Sequence, residues 1–188
     1  MSASADDEPP TTRSSNHHGG PPMTDPRLER MLDELAIRSL TASYTDALNR
    51  GDVDAIGRVY DDDAVFAMME RPIVTGRDAI LDVLRHTLSR YQLVMQLLHS
   101  GVVQVDGDVA RARWQITEFQ ILVDGGRRFI AGRYEDEYAR RARGWQFTRR
   151  TFTARYLGAP DLSSEARPDL PARFDLWPAG LDDHPQEP

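Results

Sequence analysis

The chain has 188 residues, enough for one domain with tails, and its 30 acidic and 23 basic side chains leave a net charge of −7. With no basic run interleaved with aromatics, that balance argues against a nucleic-acid-binding surface. The absence of cysteine excludes disulfides, thiolate nucleophiles and cysteine-zinc sites together.

Residues 1–25 are polar and rich in Pro, Gly and Ser, too poor in apolar groups to offset the entropy of ordering, and are expected to be a disordered tail. A long helix is predicted from Pro26 to Asn49, ending at Arg50-Gly51, where glycine accepts the left-handed closing conformation. Its apolar stripe is read as Leu28, Leu32, Leu35, Leu40, Tyr44 and Leu48, which turns the Tyr44 phenol inward. Asp52 should cap a short second helix ending near Tyr60. The acidic turn Asp61-Asp62-Asp63 then leads into a strand from Ala64 to Met69. Thr75 and Asp78 have capping-box spacing for a third helix, with Ile80, Val83, Leu84, Thr87 and Leu88 on its inner face.

From Leu93 the pattern becomes β, with strands expected over 93–105, 109–123, 127–140 and 145–157. Glycine-bearing turns at 106–108, 124–126 and 143–144 separate them. Helices followed by a meander predict an α+β fold in which helices pack on one face of a curved sheet. Residues 158–188 read as a Pro-rich C-terminal extension, in which Phe174 and Trp177 either pin the segment to the domain or serve a partner, docking being the simpler reading.

Within the strands, alternation places Ala110, Ala112, Trp114, Ile116 and Glu118 on one face. A carboxylate on an apolar face is either solvated at an edge or turned into a pocket where it can do acid-base work. His99, in MQLLHSGVVQV, is the only histidine in the β region and by its intrinsic pKa the best general-base candidate. Gln96 is placed to orient a ligand carbonyl. Arg133 and Glu135 share one face and Tyr134 and Asp136 the other; if inward, the first pair forms a charged pocket wall. Arg149, Arg150 and Arg155 pose the same question. There is no Gly-rich phosphate loop, GxSxG elbow, HExxH or histidine pair at ligand spacing, so redox, phosphoryl-transfer and zinc-hydrolysis chemistry all lose ground and no metal site is expected. Proton transfer on a small apolar molecule remains, or binding alone.

The segments AIRSLTASYTDALNRGDVDAI, DDDAVF, TGRDAI, VDGDVARARW and GRYEDEY followed by RGWQFTRRTF occur in an order that resembles the SnoaL-like proteins of the nuclear transport factor 2-like superfamily. The resemblance covers roughly residues 28–157, so 26–157 is read as a SnoaL-like domain. It implies a cone-shaped α+β barrel, a highly curved mixed sheet packed against about three N-terminal helices around a mostly apolar pocket. It also implies cofactor-independent chemistry like that of scytalone dehydratase, bile-acid 7α-dehydratase or ketosteroid isomerase. In the bile-acid dehydratase pattern a helix tyrosine precedes an aspartate by five residues; Tyr44 matches the tyrosine, but Asn49 stands at the aspartate position. Glu118 matches the family's strand acid, while Gln96 or Met95 aligns with its histidine and His99 follows three or four residues later.

The leading expectation is a lyase or isomerase acting on a hydrophobic cyclic molecule such as a polyketide or steroid. His99 would move the proton, Tyr44 would hydrogen-bond a developing oxyanion, Glu118 would share the acid-base role, and Trp114, Asn49, Gln96, Arg133 and Glu135 would line the site. The alternative is a non-catalytic binding or assembly module of the same fold, including an oxygenase β-subunit-like role. The other expectations are a homodimer with a hydrophobic small-molecule ligand, no nucleic-acid or membrane partner, and a cytoplasmic location. The last rests on the lack of an apolar run of roughly 18 residues and of a signal-peptide core.

Overall fold

A computed structural model describes residues 25–68 and 71–161. Helix α1 spans Pro26–Arg50; the Asp25 side chain accepts the Arg27 N–H at its start, and Gly51, at φ 68°, closes it. Helix α2, Val53–Gly57, is capped by Asp52, whose carboxylate accepts the Ala55 N–H. Strands β1 (Tyr60–Met68) and β2 (Arg71–Thr75) form an antiparallel pair, followed by helix α3, Arg77–Leu88. Four long strands complete the chain: β3 (Tyr91–Asp106), β4 (Val109–Leu122), β5 (Arg127–Arg141) and β6 (Gly144–Gly158). The sheet order is β2-β1-β6-β5-β4-β3, antiparallel except where β1 runs parallel to β6. This is a mixed, curved, open sheet with three helices on one face, the α+β class that the element order predicts. Among the described residues no helix is long and apolar enough to cross a membrane.

Several local expectations need correcting; Asp61, Asp62 and Asp63, expected as a turn, already lie in β1, which begins at Tyr60. Leu28, Leu32 and Leu35 are exposed, and α1 buries Ile37, Thr41, Tyr44, Ala47 and Leu48 instead, because only the second half of the helix lies over the sheet. The α3 cap is Gly76, without a side-chain hydrogen bond, because Thr75 is still in β2; Leu81 rather than Thr87 is buried on this helix. Strand β2 itself is absent from the sequence reading. It is five residues long and contains Pro72, a residue that fits an edge strand, which β2 is.

The register separates an inner, helix-covered face from an outer one. Trp114 on β4 lies opposite Tyr134 on β5, which lies opposite Phe152 on β6, all facing inward. Gly101 on β3 lies opposite Trp114, and a Cβ there would come within 2.1 Å of the indole ring. Arg38 of α1 donates to the Gly101 carbonyl at 3.2 Å and stands over the same indole, tying helix to strand.

Candidate active site

Two polar clusters occupy the inner face. The deeper one is centred on Arg150, whose guanidinium makes two hydrogen bonds to Asp136, Nε to Oδ1 at 2.9 Å and Nη2 to Oδ2 at 2.7 Å. Both residues are fully buried. The guanidinium carbon sits 4.0 to 4.2 Å from the ring centres of Tyr44, Tyr134 and Phe147, a cation-π enclosure with little water to screen it. Asp136 accepts a further bond from the Tyr138 hydroxyl, which in turn accepts the Trp114 indole N–H at 3.0 Å and meets the Thr41 hydroxyl at 2.9 Å. Burial works against the charge on Arg150, but the adjoining Asp136 carboxylate outweighs it and holds the guanidinium firmly protonated. Burial likewise raises the pKa of Tyr44, with Arg150 offsetting part of the rise, and it pushes Tyr60, Tyr134 and Tyr138 well up, so all four phenols are neutral hydrogen-bonding groups.

The second cluster lies farther along β4, around the half-buried Glu118. One carboxylate oxygen accepts the Gln96 amide at 2.8 Å and the other the Gln120 amide. Gln96 also donates to the Tyr134 hydroxyl at 3.0 Å, which links the cluster to the ring stacked on Arg150. The amide oxygens of Gln96 and Gln120, and the Tyr60 hydroxyl, are buried without a hydrogen-bond partner. Among the described residues Glu118 has no cationic partner.

Gln96 is held by Asn49. The Asn49 amide donates to the Gln96 carbonyl at 2.8 Å and accepts the Gln96 N–H at 2.7 Å, so one side chain satisfies both backbone groups of an edge-strand residue. An aspartate could accept the N–H but would set a negative charge against the carbonyl. The asparagine therefore serves strand position, and the lining role expected of it passes to the Gln96 side chain.

Tyr44, Gln96, Trp114 and Glu118 thus share one face, whereas three other expected site residues do not. His99 stands exposed on the outer face, its Nε2 2.8 Å from the Thr117 hydroxyl. Gln96 is inward and His99 is three residues on, so simple alternation turns the histidine outward. The register shift of β3 comes only after Leu98, and it restores Gly101 to the inner face. Arg133 and Glu135 are also on the outer face, buried there as an ion pair with Nε to Oε1 at 2.8 Å, and form no pocket wall. Sequence reasoning missed the roles of Tyr134, Asp136, Tyr138, Gln120 and Arg150. On β5 the signal was present, since Tyr134 and Tyr138 put two aromatics on one face while Arg133, Glu135 and Glu137 put charges on the other. Among the described residues no group of three His, Asp or Glu side chains could hold a metal ion.

Comparison with known proteins agrees with this architecture. A structure from Novosphingobium aromaticivorans, provisionally named an aromatic ring hydroxylase, is 27% identical, covers 71% of this chain and 98% of its own, and superposes with a TM-score of 0.62. A hexachlorocyclohexane dehydrochlorinase, LinA type 2, is 20% identical over 70% of this chain and 91% of its own, with a TM-score of 0.65. A provisionally named scytalone dehydratase, also from N. aromaticivorans, is 16% identical over 72% of this chain and 91% of its own, at 0.63. No curated protein matches the sequence. The model of the SnoaL-like domain matches residues 29–151, which takes in both polar clusters and all of the sheet but the second half of β6, and the chain belongs to that family.

Proposed function

We propose that the inner face binds a small organic molecule beside Glu118, and that it does so without a histidine proton shuttle. The observation that carries this reading is the pair of amides at the centre of the face. Asn49 is committed to the backbone of Gln96, Gln96 offers an amide where an imidazole would be needed, and His99 is on the opposite side of the sheet. Neither amide titrates near neutrality, so neither can take up a proton. What the cluster offers a ligand is a carboxylate acceptor, two amide oxygens in want of donors, and aromatic walls from Tyr134 and Phe152, whose rings are 5.6 Å apart. A hydroxylated apolar ring system, such as a steroid, polyketide or terpenoid, has matching chemistry.

A thermal-shift screen of those three classes tests the proposal, because a ligand that binds only the folded chain at 100 times its Kd adds about 2.7 kcal/mol to stability. Glu118→Gln should weaken the best hit roughly tenfold or more, the effect of losing a hydrogen bond to a charged acceptor. His99→Ala should leave the affinity unchanged. A hit equally tight in the Glu118→Gln protein would refute the proposed site.

A second reading, a lyase or isomerase, has its own support in the half-buried Glu118 carboxylate, which lacks a cationic partner, and in the likeness of fold to LinA. In that reading Glu118 accepts the substrate proton, and the neutral phenols of Tyr44 and Tyr134 hydrogen-bond the oxygen that gains charge. Mass spectrometry after prolonged incubation separates the two. Conversion of a hit by the native chain but not by Glu118→Gln makes the protein an enzyme; recovery of unchanged ligand makes it a binding module.

A further inference from the structure

The outer face of the sheet carries an apolar patch at the end where the described chain stops. Leu93, Met95 and Leu97 of β3 are 41 to 43% exposed, although all three are paired with β4. Phe119 of β4, 37% exposed, pairs with Met95, Phe129 of β5 pairs with Phe119 and is half-buried, and the buried Tyr156 of β6 stands diagonally from it, opposite Ala131. The three rings run across the sheet, Phe119 to Phe129 at 5.2 Å and Phe129 to Tyr156 at 6.1 Å. The exposed part of this strip, on β3 and β4 and reaching the half-buried Phe129 of β5, is a surface that folded proteins usually cover.

The chain leaves β6 at this patch. Gly158 pairs with Phe129, and the Tyr156 hydroxyl, on the outer face, donates to the Ala159 carbonyl at 2.8 Å. That bond draws the backbone after β6 toward the outer face. Beyond it, residues 162–188 lie outside the described residues, but their sequence contains the apolar side chains Leu170, Phe174, Leu176 and Trp177. Leu170 is nine residues past Asp161, a reach of about 30 Å when extended, whereas β6 to β3 spans three strand spacings, about 14 Å. Charge points the same way. The segment has six carboxylates and two arginines. Arg113 and Arg127 on the outer face, and Arg155 beside it, have no carboxylate partner among the described residues.

We propose that residues 162–188 fold back over this patch within the same chain, with the Phe174-to-Trp177 stretch seated across Met95, Leu97 and Phe119, so that the segment takes the place a second subunit would otherwise fill. The chain has no cysteine, so engineered pairs report without background. In the full-length protein, Met95→Cys combined with Phe174→Cys should oxidise to a disulfide within one chain, running as a monomer on non-reducing gels, and light scattering should give a monomer mass. Phe174→Ser with Trp177→Ser should leave the domain folded, raise binding of an apolar dye severalfold and speed peroxide oxidation of Met95. Disulfides only between chains, or none, together with a native dimer whose dye binding ignores the Phe174 and Trp177 substitutions, would overturn the proposal and assign the patch to a second copy.

Discussion

The two polar clusters of the inner face are built from similar side chains and reach different ends. Around Arg150 the cation has its carboxylate, that carboxylate has its phenol, and the phenol has its indole and hydroxyl partners, while Nη1 alone lacks an acceptor and the guanidinium is enclosed by three rings. Around Glu118 the carboxylate has only neutral amides, those amides leave buried oxygens unpartnered, and the group is half open. A buried charge paired with its opposite fixes a core, whereas a carboxylate held only by neutral amides stands ready for something outside the chain. Pairing of the buried charge, more than residue type, separates the structural cluster from the candidate site.

The contrast is broken most severely by Arg150→Met. It leaves Asp136 buried and unpaired, and should cost about 3 to 5 kcal/mol in urea unfolding. Adding Asp136→Leu removes the stranded charge, and the double variant should recover most of that loss while binding at Glu118 persists. If the double variant is no more stable than the single one, the Asp136 charge is not the source of the cost.

Asn49→Asp comes next. It exchanges a donor at the Gln96 carbonyl for a charge and should cost about 1 to 2 kcal/mol at neutral pH. Because β3 is an edge strand, the loss should appear first as faster hydrogen exchange at Gln96 and its neighbours. Uniform acceleration throughout the sheet would show instead that Asn49 acts on global stability alone.

The parts of this design visible in the sequence are those that depend on period. Alternation along β4 correctly grouped Trp114 with Glu118, and glycine turns located four long strands to within two residues at either end. Helical spacing grouped Leu28, Leu32 and Leu35 with Tyr44, yet periodicity records which residues share a face and not how far the sheet extends beneath it. His99 drew attention by its chemistry, but Gln96 three residues earlier fixes its side of the strand, and only a cross-strand register shows which side is covered. Arg150 shows a further limit. An arginine between Arg149 and Thr151 carries no mark of full burial; Asp136 and three rings, brought together by pairing across β5 and β6, create its place.

The smallest expected effect comes at the far end of α1, away from both clusters. Asp33 accepts bonds from Arg140 at 2.6 Å and from the Trp145 indole at 3.1 Å. The Arg140 hydrogen bond holds its carboxyl below the ordinary aspartate range, against a smaller opposing contribution from burial. A lowered folded-state pKa means that unfolding takes up a proton. The contribution is therefore complete above the unfolded value of about 4 and fades as pH falls through the folded one. Since Arg140 is 40% exposed on its side chain, solvent screening limits the whole effect to about 1 kcal/mol or less. Asp33→Asn should lower stability slightly at pH 7 and flatten the acid limb of the stability curve below about pH 4, where native and variant proteins converge. Parallel curves from pH 7 to pH 3 would mean that Asp33 contributes through the shape of its hydrogen bonds alone, because an effect of its charge must disappear once the carboxyl is protonated.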